Sequence, residues 1–342
     1  MKSKFIPILV LSFFVTGLLM VTPMAAKAAE FYEGKTITLY IGYSAKGGYN
    51  KYSRIMGRHL GKHIPGNPRI VPKNMPGAGS LKLTNFLYNV APKDGTAIAV
   101  IGRGMAMEPL LGGANTRFVA TKFGWIGSMN NEVSICASWH TSPVKTWEDL
   151  QRTELIVGGT GSGADTDTFP VVLRNILGAK LKLISGYPGG GDILLAMERG
   201  EVDGRCGWSW SSVKTKNKRW IDEGKVNILV QLSLAKHKDL PNVPLVMDLA
   251  TTKKQKDVLR LIFARQVMGR PVVAPPNLPA KRLRILRKAF DATMKDRKFL
   301  KDAKKRKLEV APASGQEVSQ LITDIYNFPK HIVADATKAA TK

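Results

Sequence analysis

One unit recurs along this chain: an apolar strand, a loop of small residues, then a helix. The first copy spans residues 36–61, TITLYIGYSAKGGYNKYSRIMGRHLG. Ile37, Leu39, Tyr40 and Ile41 have the content of a buried strand. Ser44 to Gly48 turn the chain, and Tyr49, Tyr52, Ile55, Met56, His59 and Leu60 then recur at helical spacing. Such a turn leaves backbone N–H groups free at the helix start, where they suit an anion. Thr96–Ile101 runs into Gly102-Arg103-Gly104 and a helix expected over Met105–Leu110. Leu155–Gly158 leads through GGTGSGADT to a helix carrying Val171, Val172, Ile176 and Leu177, and Leu181–Ser185 leads through GYPGGG to a helix over Ile193–Arg199. Strands alternating with helices predict an α/β fold with mainly parallel sheets, and such sheets take ligands at the carboxyl ends of their strands.

The units fall into two sets, the second inserted into the first. The 342 residues suffice for two domains. The expected lobes are residues 29–130 with 234–342, and residues 131–233, with crossings near 128–136 and 228–234. Two lobes with two connections suit hinge closure around a ligand. Ahead of them, MKSK, an apolar run and Ala26-Lys27-Ala28 read as a signal peptide over residues 1–28, cleaved on export. The expected location is therefore the periplasm. The two cysteines, Cys136 and Cys206, both lie in strand-like runs, and an exported chain permits either one bridge or two buried thiols.

Composition narrows the function. A net charge of +26 points to anionic partners. The lysine-rich tail from Pro279 reads as solvated helix faces, and an exported protein argues against nucleic acid. Gly42 and Gly47 have the spacing of a phosphate loop, but Gly48 and Tyr49 stand where its lysine and hydroxyl belong. Gly159-Thr160-Gly161-Ser162-Gly163 fits neither a dinucleotide fingerprint nor a nucleophile elbow. His59 and His63 share a helix face without further metal ligands in sequence, and no nucleophile with a base emerges, so neither metal nor cofactor nor catalysis is expected. What remains is capture of a carboxylate by loop amides and the hydroxyls of Ser44, Thr160, Ser162 and Thr166, without need of a buried lysine or arginine.

A series of motifs in order then matters more than any one of them. These are Gly34-Lys35-Thr36-Ile37-Thr38, Ser44 to Asn50 followed by Arg54, Asn74-Met75-Pro76-Gly77-Ala78-Gly79, and Pro92-Lys93-Asp94-Gly95. Gly159 to Gly163, Tyr187-Pro188-Gly189, Gly200-Glu201-Val202-Asp203, Leu240 to Pro244 and Ala274 to Pro279 follow. In this order they resemble the periplasmic receptors of tripartite tricarboxylate transporters, the Bug family, over residues 31–340. The resemblance implies a two-lobed periplasmic binding-protein fold of type II closing over a small carboxylic acid, a monomer that delivers its ligand to membrane permease subunits. It implies contacts from Ser44, Gly47, Gly48, Tyr49 and Asn50 in the first lobe. In the second it implies Thr160, Gly161, Ser162, Gly163, Tyr187, Gly189 and Gly190. Arg103, Asp165 and Trp208 are added candidates near the loops and strand ends. The chain departs from the family pattern at Lys46, Tyr49 and Asn50, where specificity is expected to differ. A ligand-sensing subunit for a membrane signalling protein, or an enzyme on the same fold, are the alternative roles.

Overall fold

The structure, a computed structural model, describes residues 31–341. The expected signal peptide lies outside the described residues. The strands are β1 (Thr36–Ile41), β2 (Arg69–Asn74), β3 (Ala97–Val100), β4 (Gly124–Ser128), β5 (Ser134–Trp139), β6 (Leu155–Gly159), β7 (Leu181–Ser185), β8 (Gly204–Ser209), β9 (Val226–Leu232), β10 (Pro271–Ala274) and β11 (Ala313–Ser314). The main helices are α1 (Gly48–Leu60), α2 (Leu81–Asn89), α3 (Trp147–Leu150), α4 (Asp165–Leu177), α5 (Gly190–Glu198), α6 (Lys253–Phe263), α7 (Ala280–Lys295), α8 (Arg297–Lys305), α9 (Gly315–Tyr326) and α10 (Lys330–Ala340). Between β8 and β9 the chain makes a further helical run, Trp210–Ser212, a π-turn at Val213–Asn217, and Lys218–Asp222.

The strands make two sheets, ordered β11-β4-β10-β3-β1-β2 and β7-β6-β8-β5-β9. The two-lobed α/β architecture is as expected, but the sheets are mixed rather than mainly parallel. β1 pairs parallel with β2 and β3, whereas β10 runs antiparallel to β3 and β4. In the second sheet β6 is parallel to β7 and β8, while β5 is antiparallel to β8 and β9. The reversals lie where the chain passes between lobes. β5 enters the second sheet directly after β4, and β10 re-enters the first after α6, each antiparallel to its neighbours.

Period-two burial sets the layers. Ile37 and Leu39 of β1 and Ile98 and Val100 of β3 pack against Tyr52, Ile55 and Met56 of α1, Phe290 of α7 and Phe299 of α8. Full burial of each such side chain stabilises the fold by roughly 1.5–3 kcal/mol. The alternate residues Ala97 and Ala99 face α2 and α9 on the other side. In the second lobe, Ile135, Ala137 and Trp208 pack against Ile193 and Met197 of α5. The opposite face gathers Cys136, Val157, Cys206 and Phe169 of α4. That cluster also takes in Val258, Leu259, Ile262 and Phe263 of α6, and Ala336 and Ala339 of α10.

Thr146 and Asp149 form a reciprocal capping box at α3. Asp94 accepts from Thr96 beside Gly95, whose φ is +99°. Cys136 and Cys206, left open between bridge and thiols, are bonded to each other across β5 and β8. The expected helix over Met105–Leu110 is instead a short 3₁₀ turn, Arg103–Ala106, followed by turns. That loop therefore offers no long helix terminus to an anion.

Candidate functional site

Three helices start at the cleft between the sheets: α1 after Gly47, α4 after Ala164 and α5 after Gly189. None is capped by a side chain at its N-cap residue. Gly47 and Gly189 sit in extended conformations, and the following amides lie at the cavity wall. The cavity has about 60 Å³ available to the centres of water-sized molecules, room for about five of them.

The lobes are in contact around it. Gly79 N–H donates to Thr160 O at 2.8 Å, and Ser162 Oγ donates to Glu108 Oε1 at 2.7 Å. Asp192 of α5 accepts from Ser44 Oγ at 2.8 Å and pairs with Lys46 Nζ at 3.1 Å. Glycine makes this approach possible. At Gly161, φ is +129°, and a Cβ would stand 2.5 Å from the Ala78 carbonyl carbon.

Buried arginines form the interior of the site. Arg103, 2% exposed, donates from Nε to Asp165 Oδ2 at 2.5 Å. It also donates to Gly269 O, Ser134 Oγ and Ser209 Oγ, so its guanidinium is spent on holding the lobes. Arg265 lies 3.7 Å from the other Asp165 oxygen and over the Phe169 ring. Arg270 pairs with Glu132 at 3.1 Å and is sandwiched between Tyr49 (4.6 Å) and Tyr52 (5.0 Å), three residues apart on α1. Arg205 also lines the cavity, donating Nη1 to Gly190 O. Burial, with Arg270 and Arg103 adding repulsion, pulls the Arg205 guanidinium below its ordinary value. Burial likewise raises the Tyr43 phenol and the Glu108 carboxyl, the latter partly offset by Ser162.

Of the residues named from sequence, Gly47, Gly48, Tyr49, Arg103, Thr160, Asp165, Gly190 and Trp208 line the cavity. Ser44 is engaged with Asp192, and Asn50 donates to Ala45 O and accepts from Arg54. Gly161 N–H is taken by Asp167 Oδ2, and Thr160 N–H by Thr166 Oγ1. Gly161 lies against Ala78 and Gly79, Gly163 lies against Met105 and Glu108, and Ser162 turns to Glu108. Gly189 abuts Ser44, and Tyr187 packs with the α5 cluster. The sequence reading needed no buried arginine, yet buried Arg103 and Arg270 and half-buried Arg205 line the cavity, with buried Arg265 beside Asp165. Sequence reasoning had one signal for Arg205, a cation inside the strand-like run Val202–Gly207; Arg270 carried none beyond preceding Pro271.

His59 and His63 face different carboxylates, Asp302 at 3.4 Å and Asp296 at 2.8 Å. His237, Asp239 and Glu309 gather elsewhere, but Lys214 Nζ contacts both of these carboxylates.

Against solved structures the fold has clear relatives. "Structure of periplasmic binding protein BugD" superposes with TM-score 0.72 at 20% identity, covering 90% of this chain and 98% of that one. MatC (Rpa3494) from Rhodopseudomonas palustris with bound malate gives 0.69 at 17%, covering 87% and 99%. R. palustris Rpa4515 with adipate gives 0.69 at 15%, covering 89% and 97%. No curated protein sequence matches the chain. The family model described as "Tripartite tricarboxylate transporter family receptor" (TctC) matches residues 54–337. Sharing that match and this two-lobed fold, the chain belongs to the TctC receptor family.

Proposed function

We propose that the protein captures a small organic acid between its lobes in the periplasm and hands it to the membrane subunits of a tripartite tricarboxylate-type transporter. It does so as a monomer and without chemistry on the ligand. The observation that carries this reading is the cavity between the lobes, walled by uncapped helix starts and by cations with one carboxylate, Asp165, among its lining residues. The related structures with bound malate and with adipate support the class of ligand. Helix N-termini and guanidinium groups both favour a carboxylate, and enclosure strengthens them by excluding water. Ligand binds at the amides after Gly47 and Gly189 and at the guanidinium side of the cavity, and its contacts to both lobes favour the closed form. Ser44, Asn50, Gly161, Ser162, Gly163, Tyr187 and Gly189 act one step back, shaping and closing the walls.

The lobe boundary in this reading follows the packing. Residues 131–263, with 330–340 added, form the second lobe, because α6 and α10 share the core of α4 and β6. The test is a thermal-shift panel of small mono-, di- and tricarboxylates on protein purified without refolding, followed by calorimetry. At least one acid is expected to raise Tm in a dose-dependent way. Failure of every acid in the panel would sink the proposal.

A further inference from the structure

Arg205 stands apart from the other cations of the cleft. Arg103 is held by Asp165, Arg270 by Glu132 and Lys46 by Asp192. Arg205 makes no ion pair among the described residues. Its Nη1 donates to Gly190 O at 2.9 Å, and its Nε is buried without a hydrogen-bond partner. Gly190 is bare for its sake: a Cβ there would stand 2.6 Å from Arg205 Cζ. The Trp208 ring, 5.6 Å from Cζ, is the other wall. Burial, with repulsion from Arg270 and Arg103 that Tyr43 and Asp165 partly offset, makes the place unfavourable for a cation in the empty protein. At the exposed edge of the same cavity Lys216 also makes no ion pair among the described residues, its ammonium donating to the backbone oxygen of Lys46. The cavity wall thus carries two cations that the chain's own acids do not neutralise.

We propose that Arg205 is the specificity-determining residue of the cleft, pairing with one anionic group of a doubly charged small acid whose second group lies toward Lys216. This rests on the carboxylate reading above and deepens it. A monoanion leaves one of the two cations unmatched, and Arg205, with its Nε buried and unpartnered, is the more costly to leave so. Arg205 then has opposite effects on stability and on binding. Neutralising it relieves repulsion in the empty protein and removes the ligand's partner.

The test uses matched pairs of equal chain length, butyrate with succinate, hexanoate with adipate and 2-hydroxybutyrate with malate, titrated calorimetrically into the wild type, Arg205→Gln and Arg205→Lys. The expected result is a dianion bound at least about 30-fold more tightly than its matched monoanion. That gap should collapse in Arg205→Gln and be partly kept in Arg205→Lys, while the Tm of ligand-free Arg205→Gln is no lower than wild type. A structural role alone would lower that Tm. A monoanion bound as tightly as its partner, or a gap that survives Arg205→Gln, overturns the inference and leaves the carboxylate reading standing. Binding of no acid in any pair overturns both.

Discussion

Gly104→Ala isolates closure of the lobes from their folding. Gly104 belongs to the first lobe, in the 3₁₀ turn after β3, and its backbone needs no left-handed φ, so alanine costs nothing locally. What a Cβ would meet lies across the cleft or on the segment beside it. The Gly163 carbonyl carbon would stand 3.0 Å away with its oxygen nearer still, and Arg265 Nη1 would stand at 2.6 Å. Ordinary contact begins at 3.4 Å, so the guanidinium must retreat by about 0.8 Å and the Gly163 carbonyl oxygen by about 1.6 Å. Overpacking of this kind costs about 1–3 kcal/mol. The open form, in which these groups separate, is spared that cost. The whole penalty therefore falls on the closed form, and ligand affinity should drop by about 5- to 150-fold, at tenfold per 1.4 kcal/mol. Calorimetry with whichever acid binds the wild type measures the drop, and small-angle scattering should show the ligand-free variant more extended than wild type. Affinity within twofold of wild type, with unchanged scattering, would refute the idea that ligand is held in this closed arrangement.

Two further outcomes follow from the interior. Burial raises the Glu108 carboxyl, so its ionised form is disfavoured in the folded state. Stability should therefore rise as pH falls from neutrality through the raised value toward the ordinary 4.5. Glu108→Gln should flatten that rise and lift Tm at pH 7, as read by calorimetric melts across pH; a lower Tm at pH 7 would contradict it. The Cys136–Cys206 bond closes a separation of 70 residues. By the chain-entropy estimate its removal should cost about 4 kcal/mol, seen as an earlier urea midpoint for the Cys136→Ala, Cys206→Ala double variant; an unchanged midpoint would count against it.

Much of the fold could be read directly from local pattern. β9 falls on Val226–Leu232 as its apolar run suggests, and the Thr146–Asp149 and Asp94–Gly95 turns carry their own chemistry. Strand direction could not be read this way. An apolar run such as Pro271–Ala274 has the same composition whichever way it runs, and only its neighbours β3 and β4 decide. The site was half legible for a related reason. Loops that precede helices announce free amides, but whether those amides stay free depends on the helix that follows. Asp167, in the first turn of α4, takes the Gly161 N–H, whereas α1 has no acid in its first turn. The arginines were hidden more deeply. The chain has 52 lysines and arginines, and nothing local separates the three that are buried, Arg103, Arg265 and Arg270. Arg103 meets Asp165 across 62 residues of sequence, so their pairing exists only once both sheets are assembled.

The distribution of α6 and α10 has a mechanical meaning. With both packed on the second sheet, the backbone passes between the lobes three times: from β4 to β5, from α6 to β10, and at the turn from α9 to α10. Two spans permit one lobe to swing and also to swivel. A third span set apart from them, beyond the end of α9, acts as a stay. In the lobe division proposed above, such a stay should leave bending soft and stiffen torsion, so that the two jaws would return to the same registration on each closure. In a pocket whose wall depends on glycine backbones meeting to within an atom's width, that repeatability is what lets Asp165 find Arg103 each time the jaws shut.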